Sequence, residues 1–155
     1  MVKHIALFPS GGKGHLYPTL ELCSLLVGRG HKVTCAISER EAATVSEVGA
    51  KPIQFKFRSL PEFKLLDDLY GFPHDARWAD FDASIVWPTF LSLASDMLSQ
   101  ISDVYSSDVP DLVIYDRLTF AGRIISNNIG IPAIQMYPHF AYFNDCYRRE
   151  RGVCF

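Results

Sequence analysis

Two residues, far apart in the chain, have the chemistry of a catalytic pair. His15 stands at the mouth of a strand–loop–helix turn, within PSGGKGHLYP (residues 9–18), and Asp116 follows the apolar run LVIY (112–115). A carboxylate beside an imidazole accepts the Nδ1 proton, fixes the tautomer and stabilises the cation formed later; the other ring nitrogen is then a general base. Each residue also has a plainer reading. A lone histidine is more often a packing or surface residue, and Asp116 can cap a helix starting near Leu118. What draws attention is position, since both fall where apolar segments that read as adjacent strands come to an end.

The glycines of the same turn, Gly11, Gly12 and Gly14, suit close approach of a ligand to a helix N-terminus. They match neither familiar phosphate fingerprint. Lys13 is followed by Gly14 and not by Ser or Thr, so the P-loop hydroxyl is missing, and Tyr17 occupies the third glycine position of a dinucleotide site. Glu39, at the end of the second strand-like run, can hold a ribose, which keeps a nucleotide-binding Rossmann or flavodoxin-like protein as an alternative. A tight turn alone also accounts for the three glycines.

The elements that must position these residues alternate regularly. HIALF (4–8) reads as a strand, followed by a helix with Pro18 near its first turn and Gly30 as its stop. KVTCAI (32–37) is a second strand, Ser38 with Glu41 a capping box for a short helix ending at Gly49, and PIQFKF (52–57) a third strand. A long helix from about Pro88 to Tyr105 carries Phe90, Leu91, Ala94, Met97, Leu98, Ile101, Val104 and Tyr105 on one face. DLVIY (111–115), a helix to about Asn128 stopped by Gly130, and PAIQMY (132–137) complete the series. Strands alternating with helices imply βαβ units and a single α/β domain: a Rossmann-like, doubly wound parallel sheet in the order 3-2-1-4-5. Ligands then bind beyond the carboxyl ends of the strands, at the switch point between the first and fourth. Residues 58–84, rich in aromatic and charged side chains, are too long for an ordinary connection and read as a variable functional loop.

Composition narrows the class. A chain of 155 residues, 48% hydrophobic and 21% charged, is globular. A net charge of −2 with scattered signs argues against a nucleic-acid surface. Cys23, Cys35, Cys146 and Cys154 form no C-x-x-C pair; Cys23 and Cys35 read as small buried hydrophobes in a reducing compartment. No leader and no apolar run of about 20 residues is present, so the expectation is a cytoplasmic protein without membrane contact. Asp67-Asp68 and the cluster Arg148, Arg149, Arg151 read as solvated, and no metal site is expected.

Two blocks resemble a known family. HIALFPSGGKGHLYPTLELCSLLVGRGHKVTCAIS, with its G-H-x-x-P and R-G-H-x-V-T motifs, and PDLVIYDRLTFAGRIISNNIGIPAIQM (110–136) are similar to the opening domain of GT-B glycosyltransferases of the UDP-glycosyltransferase superfamily, macrolide-glycosyltransferase type. The resemblance implies that His15 is the general base and Asp116 its support. It further implies an inverting transfer, without metal, from a nucleotide-sugar to a hydroxyl of a small natural product. Gly11, Gly12 and Gly14 would lie near the donor phosphates. Phe72, Trp78, Phe81, Trp87, Phe90, His139 and Phe140 would line the acceptor crevice, with ordinary core packing as the alternative for the aromatic residues. No cofactor is implied beyond the co-substrate, a UDP- or TDP-sugar held mainly by a second domain. Nothing in residues 1–155 resembles that donor domain, and the first domain itself looks truncated. The chain alone is therefore expected to be inactive: either a fragment of a full enzyme, or a subunit completed by a separate donor-binding chain, the latter predicting a partner or self-association. A non-catalytic binding or scaffolding module of the same fold is the competing expectation.

Overall fold

Every return to the sheet passes through a helix, and all the strand pairings are parallel as a result. The computed structural model describes residues 1–58 and 83–138, with the side chains of 83–87 and 89 outside the description. β1 (His4–Phe8) leads into α1 (Lys13–Gly28), β2 (Lys32–Ser38), α2 (Ala42–Glu47) and β3 (Lys51–Phe55); then come α3 (Ala83–Ser107), β4 (Leu112–Asp116), α4 (Phe120–Ile129) and β5 (Ala133–Met136). The sheet order is β3-β2-β1-β4-β5, as expected from the sequence. The crossover containing α3 carries the chain from the β3 edge back past the centre, so β4 pairs with β1 on its free side.

Alternation along the strands divides the core between two faces. Ala6, Phe8, Ala36, Val113 and Tyr115 face α3 and α4, where Leu93, Met97, Ile101, Tyr105, Ala121 and Ile125 meet them. Ile5, Leu7, Val33, Cys35 and Ile37 face α1 and α2, against Leu16, Leu20, Cys23 and Val45. The result is a three-layer α/β/α sandwich with its most deeply buried strands at the centre. Cys23 and Cys35 are both buried and free, as read from the sequence, and the hydrogen bond that the Cys35 thiol donates to Cys23, together with burial, pushes the Cys35 thiol well up. Cys146 and Cys154 lie outside the described residues.

Several boundaries differ from the sequence reading, each for a local reason. α1 starts at Lys13, so Pro18 sits in its second turn. Gly12, in extended conformation, accepts the N–H groups of His15 (2.9 Å) and Leu16 (2.8 Å) and closes the first turn early. α3 starts at Ala83 and encloses Pro88. Its buried stripe runs through Phe90, Leu93, Ala94, Met97, Ile101 and Tyr105, whereas Leu91 and Val104, expected on that face, are exposed. The capping box does not form: a short 3₁₀ turn at 39–41 joins β2 to α2, and Ser38 makes no side-chain cap bond. Gly30 stops α1 as expected, at φ +81°, with Gly30 N–H bonding the Val27 carbonyl and His31 N–H that of Leu26. Residues 83 and 84 of the expected long loop belong to α3, and 59–82 lie outside the described residues.

The amino ends of the strands are tied by charge. Lys3 pairs with Asp111 at 2.8 Å, Asp111 also accepts the His4 N–H at 2.8 Å, and Lys32 pairs with Asp108. His4 is buried there, its Nε2 3.0 Å from Thr34 Oγ1 and its Nδ1 3.6 Å from Asp108. Burial first, and the nearby Lys32 second, pull the His4 imidazole below its ordinary value of 6.5. The unfolded chain therefore binds this proton more readily than the folded one, and His4 lowers stability as pH falls below 6.5. Urea midpoints measured from pH 7 down to pH 5 should fall less steeply in His4→Gln than in the parent. An identical slope in both would mean that His4 carries no linkage.

The layer of α4 presses closest at Gly122, where an added Cβ would stand 2.7 Å from Tyr115 Cβ and 2.9 Å from Phe8 Cγ. Those atoms lie near the backbone and have little freedom to move aside. Gly122→Ala is expected to cost about 1–3 kcal/mol by overpacking, read as a lowered urea midpoint, despite the better helix propensity of alanine. A stability equal to or above the parent's would show that α4 can shift.

Candidate active site

The register of β1 and β4 sets the site. Phe8 pairs with Tyr115 at the ends of the two strands, so the β1–α1 loop and Asp116 leave the sheet at the same level. The loop delivers His15 in the first turn of α1, and β4 delivers Asp116 as its last residue. Their side chains meet: His15 Nδ1 lies 2.6 Å from Asp116 Oδ2. Asp116 is fully buried and His15 is 6% exposed, so the contact is screened little by water. A distance this short fits a charge-assisted hydrogen bond in which Nδ1–H donates to the carboxylate.

Both partners are held from behind. Asp116 Oδ1 accepts the Leu118 N–H at 2.8 Å, and the Asp116 carbonyl accepts the Thr119 N–H at 2.9 Å. The capping reading of Asp116 is thus partly realised, as a turn preceding α4, whose N-cap is Thr119. One carboxylate oxygen shapes the turn while the other engages the histidine. His15 is fixed by its place in the first turn of α1, where Thr19 Oγ1 donates to its carbonyl at 2.9 Å. With Nδ1 donating, Nε2 is the ring's acceptor nitrogen.

The glycines beside this pair are not explained by backbone strain. Gly11, Gly12 and Gly14 all lack positive φ. Among the described residues, nothing lies within 4 Å of a Cβ built on Gly11 or Gly14. Their smallness leaves open space at the start of α1, where Lys13 and Gly14 present N–H groups not consumed by the helix.

Beyond the loop, a narrow cavity of about 40 Å³ lies over the carboxyl ends of the first three strands. Pro9 and Gly11 belong to its β1 side, and Ile37 and Ser38 to its β2 side. Phe55, Phe57, Leu93 and Met97 give it an apolar wall, while Arg40 and Glu41 add charge. A shallower, more open groove of about 430 Å³ continues from it past Lys56 and Glu39, which pair with each other at 3.0 Å. The groove, and not the narrow cavity at its inner end, has the size and the mixture of apolar and charged lining that suit a small organic ligand. The sequence reading missed Phe55 and Phe57, which looked like ordinary strand residues; two aromatic side chains at alternate positions on the exit from the third strand were the available signal.

Of the aromatic residues expected to line an acceptor crevice, Phe90 lies on α3 and is buried at 4% exposure. Trp87 is on α3 with its side chain outside the description. Phe72, Trp78, Phe81, His139 and Phe140 lie outside the described residues. Among the described residues, no group of three or more His, Cys, Asp and Glu side chains is placed to hold a metal ion, and no helix is long and apolar enough to cross a membrane.

The chain is similar to glycosyltransferases over most of its length. It is 34% identical over 137 residues to the oleandomycin glycosyltransferase of Streptomyces antibioticus, a match covering 88% of this chain and 29% of the relative. It is 30% identical over 142 residues to the demethyllactenocin mycarosyltransferase of Streptomyces fradiae, covering 89% and 30%. Among solved structures, the kitacinnamycin glycosyltransferase superposes with a TM-score of 0.72 at 34% identity, covering 95% of this chain and 33% of that one. The calicheamicin glycosyltransferase CalG4 superposes with a TM-score of 0.67 at 25% identity, covering 96% and 35%. No family model matches the chain. The chain spans about a third of the length of the curated relatives it matches. Its homologues are macrolide and UDP-glycosyltransferases, and the chain corresponds to the N-terminal part of a GT-B glycosyltransferase fold.

Proposed function

We propose that this chain is the acceptor-binding half of an inverting glycosyltransferase that moves a sugar from a nucleotide-sugar to a hydroxyl of a small natural product, with His15 as general base. The observation that carries the reading is the buried 2.6 Å contact between His15 Nδ1 and Asp116 Oδ2 at the switch point of the sheet. Similarity to the oleandomycin glycosyltransferase and the mycarosyltransferase supports the class of reaction.

In this mechanism Asp116 holds the imidazole with its Nδ1 protonated, so that Nε2 presents its lone pair to the acceptor hydroxyl. As the acceptor oxygen attacks the anomeric carbon, its proton passes to Nε2. The bond from that carbon to the diphosphate oxygen breaks, and the nucleoside diphosphate leaves with the electron pair. Attack opposite the leaving group inverts the anomeric configuration. The imidazolium that forms lies against the Asp116 carboxylate, which stabilises it in surroundings of low polarity. Gly11, Gly12 and Gly14 leave room for the donor phosphates near the start of α1, whose N–H groups and dipole favour negative charge. The donor, a UDP- or TDP-sugar, is held mainly by a second domain or partner chain. The groove beside Phe55 and Phe57, with the narrow cavity at its inner end, receives the acceptor.

The decisive test joins this chain to the remaining C-terminal portion of the oleandomycin glycosyltransferase and measures transfer from UDP-glucose to oleandomycin. His15→Ala should lower kcat by about 10²–10⁴-fold, the usual worth of general-base assistance. Activity within a few-fold of the parent chimera would rule out His15 as the base. Asp116→Asn keeps the shape but removes the charge that fixes and stabilises the imidazole. It is expected to cut kcat by at least about 10²-fold while leaving the acceptor Kd nearly unchanged. If the loss appeared mainly in binding, Asp116 would serve the pocket and not the base.

A further inference from the structure

β3 ends at Phe55, where its pairing with β2 also ends at Ser38. Beyond that point α3 supplies partners for both backbone groups of Lys56 and for the Arg58 N–H. Gln100 Oε1 accepts the Lys56 N–H at 2.9 Å, and Gln100 Nε2 donates to the Lys56 carbonyl at 2.8 Å. Asp96 Oδ2 accepts the Arg58 N–H at 2.9 Å. Positions 96 and 100 are one helical turn apart, a rise of about 6 Å, and positions 56 and 58 are about 6.6 Å apart in extended chain. The helix thus presents hydrogen-bonding groups at close to the spacing a neighbouring strand would use.

Phe57 lies between the two tethered residues. Its ring meets that of Phe55 edge-on, with centroids 5.3 Å apart and planes at 78°. Phe55 and Phe57 form one wall of the cavity, and Leu93 and Met97, on the same helix as the tethers, line it too. Asp96 is only 7% exposed, a costly way to fill a helix face for packing alone.

We propose that Asp96 and Gln100 are positioning residues that fix the backbone at 56–58, hold the Phe55–Phe57 wall at a set distance from α3, and so determine which acceptors the cavity admits. This rests on the acceptor-binding reading above. With the tethers cut, Phe57 is free to move away from α3, and the cavity loses its discrimination by size.

The test uses the isotope-labelled 155-residue chain and three hydroxylated apolar probes of increasing size: 2-naphthol, estradiol and oleandomycin. Dissociation constants come from chemical-shift titration, and tether strength from hydrogen exchange at the Lys56 and Arg58 amides. Asp96→Ala should speed exchange at Arg58, and Gln100→Ala at Lys56, by about tenfold, equivalent to one lost hydrogen bond. Each should also compress the spread of probe affinities by about fivefold or more. Asp96→Asn, which keeps an acceptor oxygen, should retain both properties. Gln100 is half-buried and its truncation is well tolerated in principle, so that variant decides the matter even if Asp96→Ala unfolds. Unchanged exchange, or faster exchange with an unchanged affinity spread, overturns the proposal while leaving the proposed function standing. Failure of the parent chain to bind any probe overturns both.

Discussion

The bond between His15 and Asp116 is the constraint around which the rest of the site is arranged. An imidazole and a carboxylate meeting at 2.6 Å, both largely removed from water, tolerate little error in the elements that carry them. That accuracy comes from three sources. The parallel pairing of β1 with β4 levels the strand ends, the early start of α1 brings His15 into a rigid first turn, and the Leu118 N–H pins the second carboxylate oxygen. Removing any one of these leaves two polar groups buried without a fixed geometry.

The surroundings of the pair divide by function. On the loop side no dihedral strain demands glycine, and at Gly11 and Gly14 no close neighbour among the described residues demands it either. On the helix side the opposite holds: Gly122 is demanded by contact with Tyr115 and Phe8, and through it α4 sits close behind the strands that end at the site. Glycine thus stands beside open space at one place and permits close packing at another. The cavity over β1–β3 adds a third character, with aromatic and aliphatic walls next to charged groups.

Much of this was legible in the sequence. The strand order followed from alternating β and α patterns with right-handed crossovers, and the meeting of His15 with Asp116 followed from that order, since both residues end neighbouring segments. The start of α1 was misread because Pro18 looked like a first-turn residue, while the true first turn, Lys13–Leu16, contains glycine and a histidine and has little intrinsic helix signal. The buried stripe of α3 was misjudged at Leu91, Leu93 and Val104 because apolar residues occur on more than one side of that helix. The roles of Phe55, Phe57, Asp96 and Gln100 depend on contacts between positions about 40 residues apart, which no local pattern announces.

The ion pairs of Lys3, Lys32, Asp108 and Asp111 lie at the opposite pole of the sheet from His15 and Asp116. The charged ties between strands and the candidate site are therefore kept at separate ends. Such a division makes a fold evolvable: loops at the pole of the candidate site can be exchanged, lengthened or recoloured with new side chains while the weld beneath them stays intact, so that a lineage can diversify those loops without first renegotiating how it holds together.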